Sequence, residues 1–104
     1  MHIISRKKLK EFYESPEGRA SEDALERWYK HVKRATWQTD ADIKRDFGSA
    51  DYVHGGYVFN ICGNHFRLAV VVRFHKQKIF IVWVGTHKEY DKQNIKELLK
   101  EYDL

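Results

Sequence analysis

From Tyr57 to Thr86 the chain follows a period of two, broken only at Gly63-Asn64 and at Lys76-Gln77. No other stretch constrains the fold as strongly. Two short polar breaks inside β-branched and aromatic runs predict three consecutive antiparallel strands joined by tight hairpins. A two-residue turn at Gly63-Asn64 pairs Cys62 with His65, and therefore Phe59 with Leu68 and Asn60 with Arg67. A turn at Lys76-Gln77 pairs His75 with Lys78 and sets Arg67 opposite Thr86.

This register sorts the side chains onto two faces. One carries Tyr57, Phe59, Ile61, Phe66, Leu68, Val70, Val72, Phe74, Ile79, Ile81 and Trp83, and is apolar throughout. The other carries Val58, Asn60, Arg67, Ala69, Val71, Arg73, Phe80, Val82, Val84 and Thr86. It is mixed, with a polar row Asn60–Arg67–Thr86 across three strands at one end. Beyond that row the chain leaves through His87, Lys88 and Tyr90.

The remaining segments supply helices to cover the apolar face. His2-Ile3-Ile4 reads as a short strand. Leu9, Phe12 and Tyr13 then recur at helical spacing behind Ser5, a residue type that caps helices. Leu25, Trp28, Tyr29 and Val32 form a stripe behind Ser21, with Glu22 and Asp23 in the first turn and Arg27, Lys30, His31, Lys33 and Arg34 on the outer faces. Thr39 and Asp42 have the spacing of a capping box for a short helix through Phe47. Gly48 to Gly56 reads as a loop. Ile95, Leu98 and Leu99 predict a last helix within Asp91–Tyr102. The fold expected is α+β, a small antiparallel sheet with helices packed on one face, forming one domain over residues 1–104.

Composition narrows the classes of function. Hydrophobic content of 42% and aromatic content of 14% exclude a disordered chain. The longest apolar run, Leu68 to Val72, is too short to cross a bilayer, and the charged N-terminal stretch is no secretory signal. One cysteine, Cys62, forms no internal disulfide and completes no zinc set, and the histidines lack metal-ligand spacing. A cytoplasmic protein with no membrane contact, metal or cofactor is expected. A net charge of +4 favours a polyanionic partner.

Phe59-Asn60-Ile61, Gly63-Asn64, Arg67-Leu68, Gly85-Thr86-His87 and Glu89-Tyr90-Asp91 together resemble the HigB family of toxin–antitoxin toxins. Ile4 to Leu9 with Phe12, Trp28-Tyr29, Trp37 and Ala41 to Lys44 fit the same family, so the likeness spans nearly the whole chain. Where members often carry a lysine and a tyrosine after Gly-Asn, this chain has His65 and Phe66. The resemblance implies a RelE-like fold and endoribonuclease activity on messenger RNA being translated by the ribosome. It also implies a cognate HigA-like helix-turn-helix antitoxin, and contact with DNA only through the complex with that antitoxin.

Metal-independent RNA cleavage needs a proton acceptor for the 2′-OH, a cation for the crowded phosphorane and an acid for the departing 5′-oxygen. His87 is the candidate base or acid, since imidazole serves as either near neutrality. Arg67 is the candidate phosphate stabiliser, because its planar fork donates two parallel hydrogen bonds. Tyr90 stacks on a base or donates a proton. Asn60, Asn64, His65, Lys88, Lys7 and Lys8 are the candidate RNA contacts. A module that binds RNA or the ribosome without cutting is the alternative compatible with the same basic surface.

Overall fold

In the computed structural model, which describes residues 1–102, the elements are β1 (His2–Ile4), α1 (Arg6–Glu14), α2 (Glu22–Arg34), α3 (Asp40–Asp46), β2 (Asp51–Val53), β3 (Gly56–Ile61), β4 (Phe66–Arg73), β5 (Lys78–Thr86), α4 (His87–Lys92) and α5 (Ile95–Lys100). A turn of 3-10 helix, Arg19–Ser21, leads into α2. The strands form one sheet in the order β1-β5-β4-β3-β2, in which β1 runs parallel to β5 and the other pairs are antiparallel. β2 lies inside the segment read as a loop. It adds an edge to the sheet by pairing Asp51, Tyr52 and Val53 with Val58, Tyr57 and Gly56.

The α+β architecture is as expected, and α1, α2 and α3 cover the apolar face. Phe59 is the centre of that layer: Trp28 and Phe47 meet its ring edge-on at 5.4 and 5.2 Å, and Trp37 stacks at 6.4 Å. Leu25, Val32, Ile43, Leu68, Ile79 and Ile81 are sealed around it. The C-terminal segment goes to the opposite face. Ile95 and Leu99 pack there on Val58, Ala69, Val71 and Val82. The sequence pattern leaves that face half-solvated, but its residues are small and apolar away from the rim, and the α5 stripe matches them. The tail helix also divides in two. Gln93 is extended, and Asn94 restarts the helix by accepting the Glu97 N–H at 3.3 Å.

Local capping departs from the expectation at two serines. Ser5 adopts a left-handed conformation (φ 74°) with no side-chain cap, and the Ser21 hydroxyl donates backwards to the Gly18 carbonyl at 2.6 Å. At α3 the box holds: the Asp42 carboxylate accepts the Gln38 and Thr39 N–H groups at 2.8 and 3.2 Å.

The first hairpin keeps its expected register, with Phe59 opposite Leu68 and Asn60 opposite Arg67. The second does not. Its turn is wider, so Arg73 rather than His75 pairs with Lys78, and a β-bulge then inserts Val82 between the Ile81 and Trp83 pairs. The extra residue moves Trp83 onto the α5 face and Val84 onto the other. Arg67 consequently faces Gly85, and Thr86 faces Phe66. The predicted polar row therefore ends at Arg67. A bulge leaves ladder groups free, and the Lys8 ammonium takes up the Val82 carbonyl at 3.3 Å.

Candidate active site

At one end of the sheet, the β3–β4 connection meets the β5–α4 junction. Cys62 and Gly63 both have positive φ (54° and 65°), and His65 N–H closes the turn on the Cys62 carbonyl at 3.3 Å. The His87 N–H donates to the His65 carbonyl at 2.9 Å, which ties the two connections together. α4 begins immediately after β5 because Thr86 and Glu89 cap it reciprocally. Glu89 N–H donates to Thr86 Oγ1, and Thr86 N–H to Glu89 Oε1, each at 3.0 Å. His87 and Tyr90, three residues apart, thereby share one side of a helix held against the rim.

Arg67 dominates the electrostatics. It is 9% exposed, yet among the described residues no carboxylate pairs with it. Neutral oxygens hold it instead: Nη1 donates to the Asn64 and Phe66 carbonyls at 3.2 and 3.1 Å, and Nη2 to Asn64 Oδ1 at 2.6 Å. A guanidinium has five N–H donors in a fixed plane. The three bonds use Nη1 and one N–H of Nη2, leaving Nε–H and the other Nη2–H with no protein acceptor among the described residues. A cation so presented, without a compensating carboxylate, is set to receive an anion with two oxygens.

Tyr90 lies beside it, with its ring centroid 6.0 Å from Arg67 Cζ and 6.1 Å from the Trp83 ring. Burial, and then the Asp51 carboxylate, push the Tyr90 phenol above its ordinary range, so it stays protonated near neutrality and can donate but not accept a proton. The His87 Nε2 lies 3.5 Å from Asp91 Oδ2, with both side chains substantially exposed. Next to Tyr90 a groove of about 330 Å³ runs between Val53, Asp91, Asn94 and Ile95.

The other predicted contacts divide. Asn60 and Lys88 are exposed, and His65 is exposed at the tip of the turn. Asn64 spends its side-chain oxygen and carbonyl on Arg67, so it positions the guanidinium. Lys8 meets Val82 and, at 3.5 Å, the Tyr102 hydroxyl, and is engaged away from the rim. Lys7 is exposed on α1. Sequence reasoning missed Trp83 and Gly85, because the bulge has no signature in the apolar alternation. Asp91 was missed as well, although its i, i+4 spacing to His87 is a signal that could have found it.

Among the described residues no cluster of three His, Cys, Asp or Glu side chains is placed to hold a metal ion, and no helix is long and apolar enough to cross a membrane. A second cationic surface lies on the α1–α2 layer. There a groove of about 560 Å³ is lined by Arg6, Glu26, Tyr29, Lys30, Lys33 and Arg34, with Arg6 Cζ 4.3 Å above the Tyr29 ring.

Residues 21–93 match the HigB toxin family, described as the RelE-like toxic component of a toxin-antitoxin system. The chain is 36% identical over 95 residues to the mRNA interferase toxin HigB of Escherichia coli strain K12, covering 88% of each. It matches the mRNA interferase HigB of Escherichia coli O157:H7 and that of Shigella flexneri equally well. With a match of that extent, the chain belongs to the HigB family of toxin–antitoxin toxins.

Proposed function

We propose that this toxin is an endoribonuclease that cuts messenger RNA while it is being translated on the ribosome, using side chains alone. The observation that carries the proposal is the Arg67 guanidinium, held by neutral oxygens and with Nε–H and one Nη2–H lacking a protein acceptor among the described residues. The 2′-OH attacks phosphorus and the P–O5′ bond breaks, leaving a 2′,3′-cyclic phosphate and a 5′-hydroxyl. Arg67 stabilises the charge gathered on the non-bridging oxygens. His87 exchanges protons with the 2′-OH or the departing O5′, and Asp91 holds its ring. Tyr90, a neutral phenol that burial pushes further up, stacks on a base or donates a proton. Asn60, His65 and Lys88 contact the message, while Asn64 acts through Arg67.

The cationic α1–α2 groove suits ribosomal RNA, since phosphate contacts by Arg and Lys supply sequence-independent affinity. A HigA-like antitoxin with a helix-turn-helix is the proposed neutralising partner, and it carries any contact with operator DNA. Both proteins act in the cytoplasm.

Inducible expression with mapping of RNA 5′ ends tests the proposal. Cuts are expected on a translated message and not on the same message lacking a start codon, and they should vanish with Arg67→Ala or His87→Ala. Growth arrest without any new 5′ ends would instead establish a non-cutting ribosome binder.

A further inference from the structure

We propose that Trp83 forms, with Tyr90, an aromatic wall on which a nucleobase flanking the scissile linkage stacks. This rests on the reading of the rim as an RNA-cleavage site. Three tryptophans occur in the chain, and they differ in kind. Trp28 and Trp37 are 2% and 1% exposed and packed around Phe59. Trp83 is only partly buried, and among the described residues its one aromatic neighbour is Tyr90, tilted by 49° at 6.1 Å.

Three features put the ring there. The extra residue at Val82 turns Trp83 onto the α5 face, opposite Ala69, which lies two residues along β4 from Arg67 and so on the same face of the sheet. Lys8 holds the bulge carbonyl. Gly85 lets the ring lie flat on the strand, since a Cβ at that position would stand 2.5 Å from the indole six-membered ring. A large apolar ring kept half open beside an anion-seeking guanidinium and a neutral phenol combines a stacking face with a phosphate fork. Single-stranded RNA is gripped by that combination, because every base offers a π-face and every linkage a charge.

The test is single-turnover cleavage of a message on programmed ribosomes, with an abasic nucleotide placed in turn on each side of the cut. Wild type should lose roughly ten-fold or more at one of the two positions, the scale of one base–aromatic stack. Trp83→Leu should lose a similar factor on the intact message and nothing further on the abasic one, and Trp83→Phe should recover most of the rate. If Trp83→Leu cuts the intact message like wild type, or loses the full factor again on the abasic message, the stacking role is overturned. Should the leucine variant melt early, the wild type carries the test alone. With Trp28 and Trp37 sealed, an uncleavable 2′-deoxy oligonucleotide should quench the intrinsic fluorescence saturably and its abasic counterpart should not. Equal quenching by both, or by neither, overturns the proposal. Failure of wild type to cut any message would instead overturn the endoribonuclease reading, and this one with it.

Discussion

The two faces of the sheet are built on different physical terms. Under α1, α2 and α3, aromatic and aliphatic side chains close over Phe59, which is 1% exposed and touches three aromatic rings. Under α4 and α5, packing is complete only at the far end, where Ile95 and Leu99 meet Val58 and Val71. At the near end that second face holds a guanidinium with no carboxylate partner among the described residues, a half-open indole and a phenol. Burying a charge without its opposite is costly, and neutral carbonyls offset only part of that cost. The first face is thus arranged for stability. The second gives up some stability at its rim to keep a cation available.

Substitutions should separate the two. Phe59→Ala removes a ring from the closed face and should destabilise the fold by about 3–5 kcal/mol, read by chemical denaturation. Gly85→Ala acts at the open rim. The added methyl collides with the Trp83 ring, so stability should fall by roughly 1–3 kcal/mol and message cleavage should slow as the ring shifts.

Acid should act first on the closed face. The Trp37 indole N–H, and then His31, hold Asp46 at about 2, below its ordinary 3.8. A depressed carboxylate contributes stability above its unfolded value and loses it as pH falls through the folded one. The melting temperature should therefore drop between pH 3.8 and about 2, and Trp37→Phe should flatten that drop, as followed by circular dichroism. The smallest structural effect belongs to Asn60, which is exposed opposite Arg67. Asn60→Ala should leave stability within about 0.5 kcal/mol while raising KM for cleavage.

Much of this difference between faces was legible in the residues. The Gly63-Asn64 break set the Asn60–Arg67 pairing, and the Leu25–Val32 stripe placed α2, because period and turn chemistry are local signals. The bulge at Val82 was not legible. Val82, Trp83 and Val84 continue an apolar run whose alternation reads equally well in either register. The error carried Trp83 to the wrong face and put Thr86 where Gly85 stands. Short β2 was hidden for a related reason: Asp51-Tyr52-Val53 has too few residues to show a period. Of the site, Arg67, His87 and Tyr90 were readable as residue types near one end of a sheet. That Asn64 is committed to holding Arg67, and Lys8 to the bulge, depends on tertiary contacts that no local pattern encodes.

Cleavage as proposed turns on Arg67, whose Nε–H and one Nη2–H lack a protein acceptor among the described residues, gripping the scissile phosphate. Its most direct test is Arg67→Lys in single-turnover cleavage on programmed ribosomes, with melting measured alongside. Lysine keeps the charge and loses the two parallel donors. The cleavage rate should fall by roughly 10²–10³, the scale of a lost transition-state donor, with the melting temperature nearly unchanged. A lysine variant that cuts at the wild-type rate would contradict that role for Arg67.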